Sequence, residues 1–442
     1  MSDINAPPRV VGLPGAVLIN LNGVVGAGIF ALPALLYAGA GNFSPYLILI
    51  FALFYACLVA VPAKLSTLFR QSGGPQLYAQ HAFGRFVGFQ IGWFTLAGNM
   101  AGRAANFHVM VAYLAAIFPF FGGPVAMPVT IVSLIVLFAG ISLIGMRRSV
   151  GALWVGTSIK LAPLLILCAA GLATNGVPTD VQLPQFSEIE ALALLLAYAF
   201  SGAGTVTVAA GEVTQPRRVV FRSIYLNLAI VAAFYALIQL SYIAIAPGAN
   251  TTHSPLAAAG EAVLGGGGAL LISIAAIFSI GTNQLNSFIA MPRIAYGMGR
   301  RGLLPPIFKH LSPRFQTPSV AIIVYSLIVI ALAVSGSFAI LALLVVSVEQ
   351  IIMLTMVAAL IAVWRRNDGD IAATMDWRWA AIIAIATVMV IWMAMQVPFQ
   401  SQVSTLALVG IGIVLYLASA SASRSGEGVY LPGEEPAGEA DA

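Results

Sequence analysis

The chain has 442 residues, of which 60% are hydrophobic and 8% are charged, and its formal net charge is +5. A soluble domain carries about 25% charged residues, because a chain of this size has to cover a large surface with polar groups. The composition excludes a soluble enzyme, a secreted disulfide scaffold and a disordered protein, and it indicates a protein that crosses a membrane several times.

Long apolar runs predict membrane-spanning helices, since a helix needs about 20 mostly apolar residues to cross a bilayer. We therefore expect an all-α membrane protein with 12 transmembrane helices in a lipid bilayer. In chain order the predicted spans cover residues 11–38, 45–68, 86–118, 125–144, 150–172, 189–211, 224–245, 269–291, 318–334, 338–364, 379–395 and 403–419.

The basic residues predict the orientation of these spans. They occupy alternate loops or loop edges, as Arg70, Arg148, Arg218 and Arg366 illustrate, whereas the intervening loops, for example around Asp180, contain no Lys or Arg. The positive-inside rule then places both termini in the cytoplasm, on the inner side of the plasma (inner) membrane. The same pattern accounts for the positive net charge, so we expect no nucleic-acid partner.

Two predicted spans contain clusters of glycine near their middle: residues 22–30 (NGVVGAGIF) in span 1 and residues 200–207 (FSGAGTVT) in span 6. Each glycine weakens a helix by about 1 kcal/mol relative to alanine. Interrupted segments at corresponding places in two halves are typical of transporter sites. The alternative is that these glycines only allow close helix packing.

The spacing of the two clusters predicts two inverted repeats of five helices, with discontinuous helices 1 and 6. Residues 11–172 would form the first repeat and residues 189–364 the second, and residues 379–419 would add two further helices. Residues 1–10 are expected to form a cytoplasmic N-terminal tail, and the acidic residues 420–442 a cytoplasmic C-terminal tail.

An interrupted helix offers main-chain groups as ligands. The N–H groups around Gly26, Ala27 and Gly28 are expected to bind a carboxylate, because the start of a helix carries free N–H groups and the positive end of the dipole. Freed carbonyl groups near Asn22 and at residues 200–201 are expected to bind an ammonium group. A site with both suits an α-amino acid.

Four motifs resemble the amino acid–polyamine–organocation (APC) transporters, which share the LeuT-type fold of two inverted five-helix repeats. They are GVVGAGIF at residues 23–30, SGGPQLYAQHAFGRFVGFQIGW at 72–93, AGEVTQPRR at 210–218 and RIAYGMGRRGLLP at 293–305. The resemblance covers nearly the whole chain. It implies transport of amino acids or related amines by alternating access.

The resemblance also implies which residues bind the substrate. The family binds substrate with the backbones of spans 1 and 6. Carried over, the positions are Val25, Gly26, Ala27, Gly28, Phe200, Ser201 and Gly202. Relatives often have an aromatic or acidic residue just after the span 6 glycine, where this chain has Ala203 and Gly204, followed by Thr205. We therefore expect a wide pocket that these residues border and that lacks a bulky gate.

Three charged residues are predicted near mid-membrane: Arg103, Lys160 and Glu349. Each is costly there, by about 2.5–3.5 kcal/mol for Arg or Lys, and is therefore a candidate for function. The resemblance implies that the Lys160 ammonium takes the place of a sodium ion beside span 1. We expect Lys160 to carry or sense a coupling proton. A fixed cation that satisfies carbonyl groups is the alternative, and Glu349 is a second candidate for the proton.

Arg103 and its neighbours have two interpretations. Arg103 and Asn99 share one face of span 3, and the guanidinium could bind a second anionic group of the substrate. Alternatively, Arg103 pairs with Glu349. Asn283 and Asn286 in span 8 are expected to line the pocket or to form ordinary interhelical hydrogen bonds.

The sequence thus predicts a secondary active transporter for amino acids, coupled to protons. The first alternative is a sodium-independent exchanger or exporter without proton coupling, and a further one is a sensor that binds without transport. No cofactor and no metal site are expected, because the histidines are scattered without the spacing of metal ligands. The sequence shows no pattern of a nucleophile paired with a base, so we do not expect an enzyme. Glu212 is expected in a cytoplasmic gate.

Overall fold

The architecture comes from a computed structural model. It describes residues 11–68, 74–144, 150–207, 213–245, 254–300, 302–366 and 375–422. The predictions for the tail at residues 1–10, for residues 423–442 of the C-terminal tail, for Glu212 and for the loop residues Arg70 and Arg148 lie outside the described residues.

The described residues form fourteen α-helices, which we number in chain order. They are α1 (Leu13–Val24), α2 (Gly28–Ala40), α3 (Ser44–Ser66), α4 (Pro75–Phe83), α5 (Arg85–Ile117), α6 (Ala126–Ile144), α7 (Val150–Asn175), α8 (Phe186–Phe200), α9 (Pro216–Ile245), α10 (Pro255–Arg300), α11 (Ser319–Ser335), α12 (Phe338–Arg365), α13 (Trp377–Met395) and α14 (Phe399–Ala422).

Several helices have the length and apolar composition of membrane spans. Within the described ranges, seven helical stretches meet both criteria, and α1, α11 and part of α7 are shorter apolar helices. On α6, the outward side chains Val129, Val136 and Leu137 are each more than half exposed. A large apolar surface of this kind is matched to lipid rather than to water.

Helix α5 lies in the interior and supports the other elements around it. It packs against α10, α11 and α12, and small residues allow the close approach to α12. A Cβ at Gly98 would lie 3.4 Å from Val348, and one at Gly102 would lie 3.5 Å from Val345. These contacts hold α5 and α12 close together, side by side.

The first predicted span is two helices. α1 ends at Val24, α2 begins at Gly28, and residues 25–27 between them are not helical. The N–H of Gly26 donates to the carbonyl oxygen of Val24 at 2.8 Å, a short-range bond that turns the chain out of the helix. The interruption lies inside the glycine cluster, where helix formation is weakest.

The sixth predicted span, residues 189–211, also stops being an α-helix part-way. α8 ends at Phe200, a turn follows at residues 201–204, and Thr205–Thr207 form one turn of 3₁₀-helix. Gly202 adopts φ +92°, a conformation that side-chain-bearing residues rarely adopt. The interruption predicted for this span within residues 200–207 is therefore present.

Other boundaries also differ from the sequence prediction. The predicted span 269–291 is part of a longer helical segment, α10, which bends at Gly265 (φ +68°). The short helix α4 lies in a loop for which no helix was predicted. Loop helices of this length carry too few apolar residues to stand out from the polar connections.

The two interruptions pack directly against each other. A Cβ at Gly202 would lie 2.7 Å from the carbonyl oxygen of Gly23, so only glycine fits this contact. The N–H of Val206 donates to Oδ1 of the buried Asn20 at 2.9 Å. The non-helical backbone of both segments is thus enclosed by protein, as a membrane interior requires.

Candidate functional site: a cavity at the helix interruptions

A cavity of about 270 Å³ opens between the two interruptions and the helices α5, α10 and α12. Its wall includes residues from both broken segments as well as charged and polar side chains. The lining residues are Gly23, Val24, Gly26, Ala27, Gly28, Phe94, Thr95, Gly98, Asn99, Gly102, Arg103, Asn106, Tyr198, Ser201, Gly202, Thr205, Asn283, Asn286, Ser287, Ala290, Met291, Val345, Val348, Glu349 and Ile352.

The start of α2 presents main-chain donors at the cavity. Within the described part of the chain, the N–H groups of Ala27 and Gly28 have no acceptor, whereas that of Gly26 is used by the Val24 carbonyl. Free N–H groups at a helix start attract an anion. Of the three amides predicted for a carboxylate, two are therefore available.

The carbonyl groups predicted for an ammonium are mostly occupied. The oxygen of Asn22 accepts a 2.6 Å bond from Nδ2 of Asn283, and that of Phe200 accepts from the N–H of Ala203 at 3.2 Å. The Phe200 side chain lies away from the cavity, stacked on Phe51 and fully buried. Ser201 remains as a cavity-lining residue of this group.

Arg103 enters the cavity wall from α5. Its Nη1 donates to Oδ1 of Asn283 and lies 3.4 Å from the Asn283 carbonyl oxygen. Its own carbonyl oxygen accepts a 2.8 Å bond from Nε2 of Gln284, so α10 fixes this part of α5 from two directions. Nε of Arg103 is buried and has no hydrogen-bond partner in the part of the chain that the structure describes.

Glu349 enters the same cavity from α12. The Ser201 side chain lies beside its carboxyl group, while Oε2 is buried without a hydrogen-bond partner among the described residues. The hydrogen bonds found for Arg103 in that part of the chain are with Asn283 and Gln284, and a pairing with Glu349 is not among them. Both charged groups therefore face the cavity.

Lys160 lies behind the cavity wall rather than in it. Its side chain is 1% exposed, and Nζ donates to Oδ1 of Asn22 at 2.8 Å and to the Val25 carbonyl oxygen at 3.4 Å. Nδ2 of Asn22 donates to the carbonyl oxygen of Leu18 at 2.9 Å and to Oγ1 of Thr157 at 3.0 Å. Lys160 thus holds the last turn of α1 and the residue that follows it.

Two tyrosines that had no part in the sequence prediction bind amides of the cavity wall, and one of them, Tyr198, is itself a lining residue. The hydroxyl of Tyr198 donates to Oδ1 of Asn106 at 2.7 Å, and that of Tyr325 donates to Oδ1 of Asn99 at 2.6 Å. These pairs join residues 92 and 226 positions apart. A hydrogen bond between residues so far apart in the chain cannot be recognised from a pattern in the sequence.

The structure brings together most of the residues that the sequence singled out for the substrate. Those that line the cavity are Gly26, Ala27, Gly28, Asn99, Arg103, Ser201, Gly202, Thr205, Asn283 and Asn286, with Glu349 from the proton-coupling pair. Those that lie outside its lining are Asn22, Val25, Phe200, Ala203, Gly204 and Lys160. Binding of substrate by any of them stays a prediction.

Comparison with known proteins identifies the family. Residues 11–423 match the sequence profile of the family described as amino acid permease. The chain belongs to the amino acid permease family. This result confirms the resemblance to APC transporters, and the apolar helices of this permease make it an integral membrane protein.

Curated relatives of this permease are also transporters. An uncharacterised transporter of Mycobacterium tuberculosis is 29% identical over 347 residues, which are 74% of this chain and 74% of the relative. A serine/threonine exchanger of Bacillus subtilis is 25% identical over 72% of this chain and 75% of its own. A vacuolar cationic amino acid transporter of Arabidopsis thaliana is 26% identical over 70% of this chain and 55% of its own.

Proposed function

We propose that this permease is a secondary active transporter that moves an α-amino acid across the plasma membrane by alternating access. We infer twelve spans with cytoplasmic termini, arranged as two inverted five-helix repeats at residues 11–172 and 189–364 with two added helices. The observation that carries the proposal is the cavity between two interrupted helices, into which the free N–H groups of α2 open.

The substrate carboxylate caps α2. The N–H groups of Ala27 and Gly28 supply two donors at the positive end of the helix dipole. The ammonium lies toward Ser201 and the Glu349 carboxyl group, which line the same cavity. These contacts bind the α-carboxylate and the α-ammonium group, which all amino acids share. The side chain of the substrate contacts the remaining residues of the cavity wall.

Binding favours closure because the substrate contacts two segments at once. One contact is on the first interruption, at Ala27 and Gly28, and the other is on the second, at Ser201. A ligand shifts a conformational equilibrium only by its difference in affinity between the two states. A zwitterion that bridges both interruptions binds more tightly when they are close together, and it therefore favours the closed state. From this closed, substrate-bound state the cavity opens to the other side of the membrane.

A proton accompanies the substrate in this account. Glu349 is the group in the cavity wall that accepts it, since its Oε2 has no hydrogen-bond partner among the described residues. Lys160 couples the proton to α1, because Nζ donates to Asn22 and Val25 and a change in its charge changes the strength of both bonds. A buried ionisable residue in a membrane segment is costly and marks this kind of pathway.

An exchanger without proton coupling is the second candidate. The observation that favours it is the full enclosure of Lys160, whose contacts suit a fixed cation. The relative from Bacillus subtilis is named an exchanger. The two functions differ in what drives uptake, since an exchanger needs substrate inside the vesicle and a proton symporter needs a pH gradient.

Uptake by proteoliposomes tests the proposal. The purified permease is reconstituted, and labelled amino acids are supplied one at a time, with and without an inward proton gradient and with and without internal unlabelled substrate. We expect saturable uptake of at least one amino acid and accumulation when the gradient is applied. Uptake that requires internal substrate and ignores the gradient supports the exchanger. The absence of saturable uptake for every amino acid and amine contradicts both.

A further inference from the structure

The hydrogen bonds of the Arg103 guanidinium are with neutral groups. An arginine stays charged in proteins, and the partners of Nη1 are the neutral carbonyl and amide oxygens of Asn283. Nε is buried and has no hydrogen-bond partner among the described residues. A desolvated cation without a carboxylate partner is expensive, and the fork of the guanidinium is matched to a carboxylate.

Glu349 lines the same cavity as Arg103 but adjoins a different segment. Gly98 of α5 packs on Val348, and Gly102 packs on Val345, so that Arg103 and Glu349 follow contacts that lie about one helical turn apart along the two helices. Glu349 lies beside Ser201 of the second interruption, whereas Arg103 binds Asn283 of α10. Both charged groups line the one cavity.

The position of Arg103 relative to α2 defines what part of a substrate reaches it. Asn283, which binds Arg103, also borders the first interruption: a Cβ at Gly26 would lie 3.6 Å from its Oδ1. Ala27 and Gly28, the donors assigned to the α-carboxylate, follow directly along the chain. A group bound by Arg103 therefore lies beside the α-carboxylate, at the distance of a short side chain.

We propose that the cavity is selective for a dicarboxylic α-amino acid, of the aspartate and glutamate type, whose side-chain carboxylate binds the Arg103 guanidinium. This inference rests on the proposed function, since it assigns the α-carboxylate to α2. The incoming carboxylate takes the place of the Asn283 amide oxygen at Nη1 and supplies an acceptor for Nε. The ligand carboxylate then pairs with the Arg103 cation. This pairing gives a reason for the presence of a charged side chain in an apolar region.

Ligand binding to the purified permease tests the selectivity. The melting temperature is titrated with glutamate, aspartate, glutamine and asparagine, which pair each acid with its neutral isostere. Loss of a charge-assisted pair is worth roughly tenfold or more in affinity. We expect glutamate or aspartate to bind at least about tenfold more tightly than its amide, and Arg103→Gln to reduce that ratio to near one.

Two further variants separate selectivity from damage to the fold. Arg103→Lys keeps the charge but not the bidentate fork, and we expect it to retain part of the acid preference. Arg293→Gln removes the same charge from an exposed position of α10, and we expect it to leave the ratio of acid to amide unchanged.

Three outcomes overturn the inference. One is a wild-type protein that binds the amides as well as the acids, and another is an Arg103→Gln variant that keeps the acid preference. The third is an Arg103→Gln variant that loses acids and amides equally, which would assign Arg103 to the α-carboxylate. In each case binding or transport of neutral amino acids leaves the proposed function standing. If no amino acid binds at all, the proposed function fails and this inference fails with it.

Discussion

Lys160 on α7 and Asn22 on α1 are joined by a 2.8 Å hydrogen bond from Nζ to Oδ1, inside a region where the lysine is 1% exposed. The main-chain oxygen of the same asparagine accepts from Asn283, which in turn accepts from Arg103. The buried Lys160 and the partly buried Arg103 are thus linked through the end of α1. A change at either one reaches the interruption where we expect the substrate carboxylate to bind.

Replacement of Lys160 by alanine tests the first of these links. The change leaves Asn22 Oδ1 and the Val25 oxygen without this donor and opens a cavity in a packed site, each of which costs about 1–3 kcal/mol or more. We expect a lower melting temperature and loss of uptake driven by a proton gradient, with exchange of internal for external substrate retained. Lys309→Ala, at an exposed position, is the control. Unaltered gradient-driven uptake in Lys160→Ala would remove Lys160 from the coupling mechanism.

The contact between Gly23 and Gly202 predicts that alanine substitution lowers stability much more at Gly202 than at Gly204. Gly202→Ala places a Cβ 2.7 Å from the Gly23 carbonyl oxygen, at a residue with φ +92°, and a strained residue of this kind costs about 1–3 kcal/mol. We expect a lower melting temperature and weakened uptake for Gly202→Ala. Gly204→Ala is the matched control, because a Cβ there meets no atom within 4 Å. Equal melting temperatures for the two variants would show that the interruptions do not pack as described.

Glu349→Gln tests whether the cavity carboxyl group carries the proton. Glutamine keeps the shape and cannot exchange a proton, so we expect substrate exchange to persist and accumulation under a proton gradient to disappear. The direct measurement is proton uptake on substrate addition in a weakly buffered suspension, which should be present in the wild type and absent in the variant. Glu261→Gln, an exposed carboxylate of α10, serves as control. A variant that still takes up a proton with each substrate would move the proton site elsewhere.

The sequence predicts the apolar helices and the weak points in them better than it predicts the surroundings of the cavity. The glycines at residues 23–28 remove helix propensity locally, and the chain leaves the helix there. Charged residues in apolar runs are also visible directly, and two of the three, Arg103 and Glu349, line the cavity.

The rest of the site depends on contacts that are remote in the chain. Asn22 was expected to bind an ammonium of the substrate, but its side chain binds Lys160 and its carbonyl binds Asn283, residues 138 and 261 positions away. The main-chain carbonyl of Phe200 was expected to bind an ammonium of the substrate, but it accepts a hydrogen bond from the N–H of Ala203, and the side chain packs against Phe51. A pattern along one helix does not reveal which side faces a cavity formed by five segments.

The proposed transport depends on one interaction, in which the main-chain N–H groups of Ala27 and Gly28 bind the α-carboxylate of the substrate. Its most direct test is competition for uptake between an amino acid and its α-amide, with leucinamide against leucine and isoglutamine against glutamate. For whichever amino acid is transported, the account predicts that loss of the α-carboxylate weakens competition by roughly tenfold or more. An α-amide that competes as well as its parent amino acid would contradict the claim.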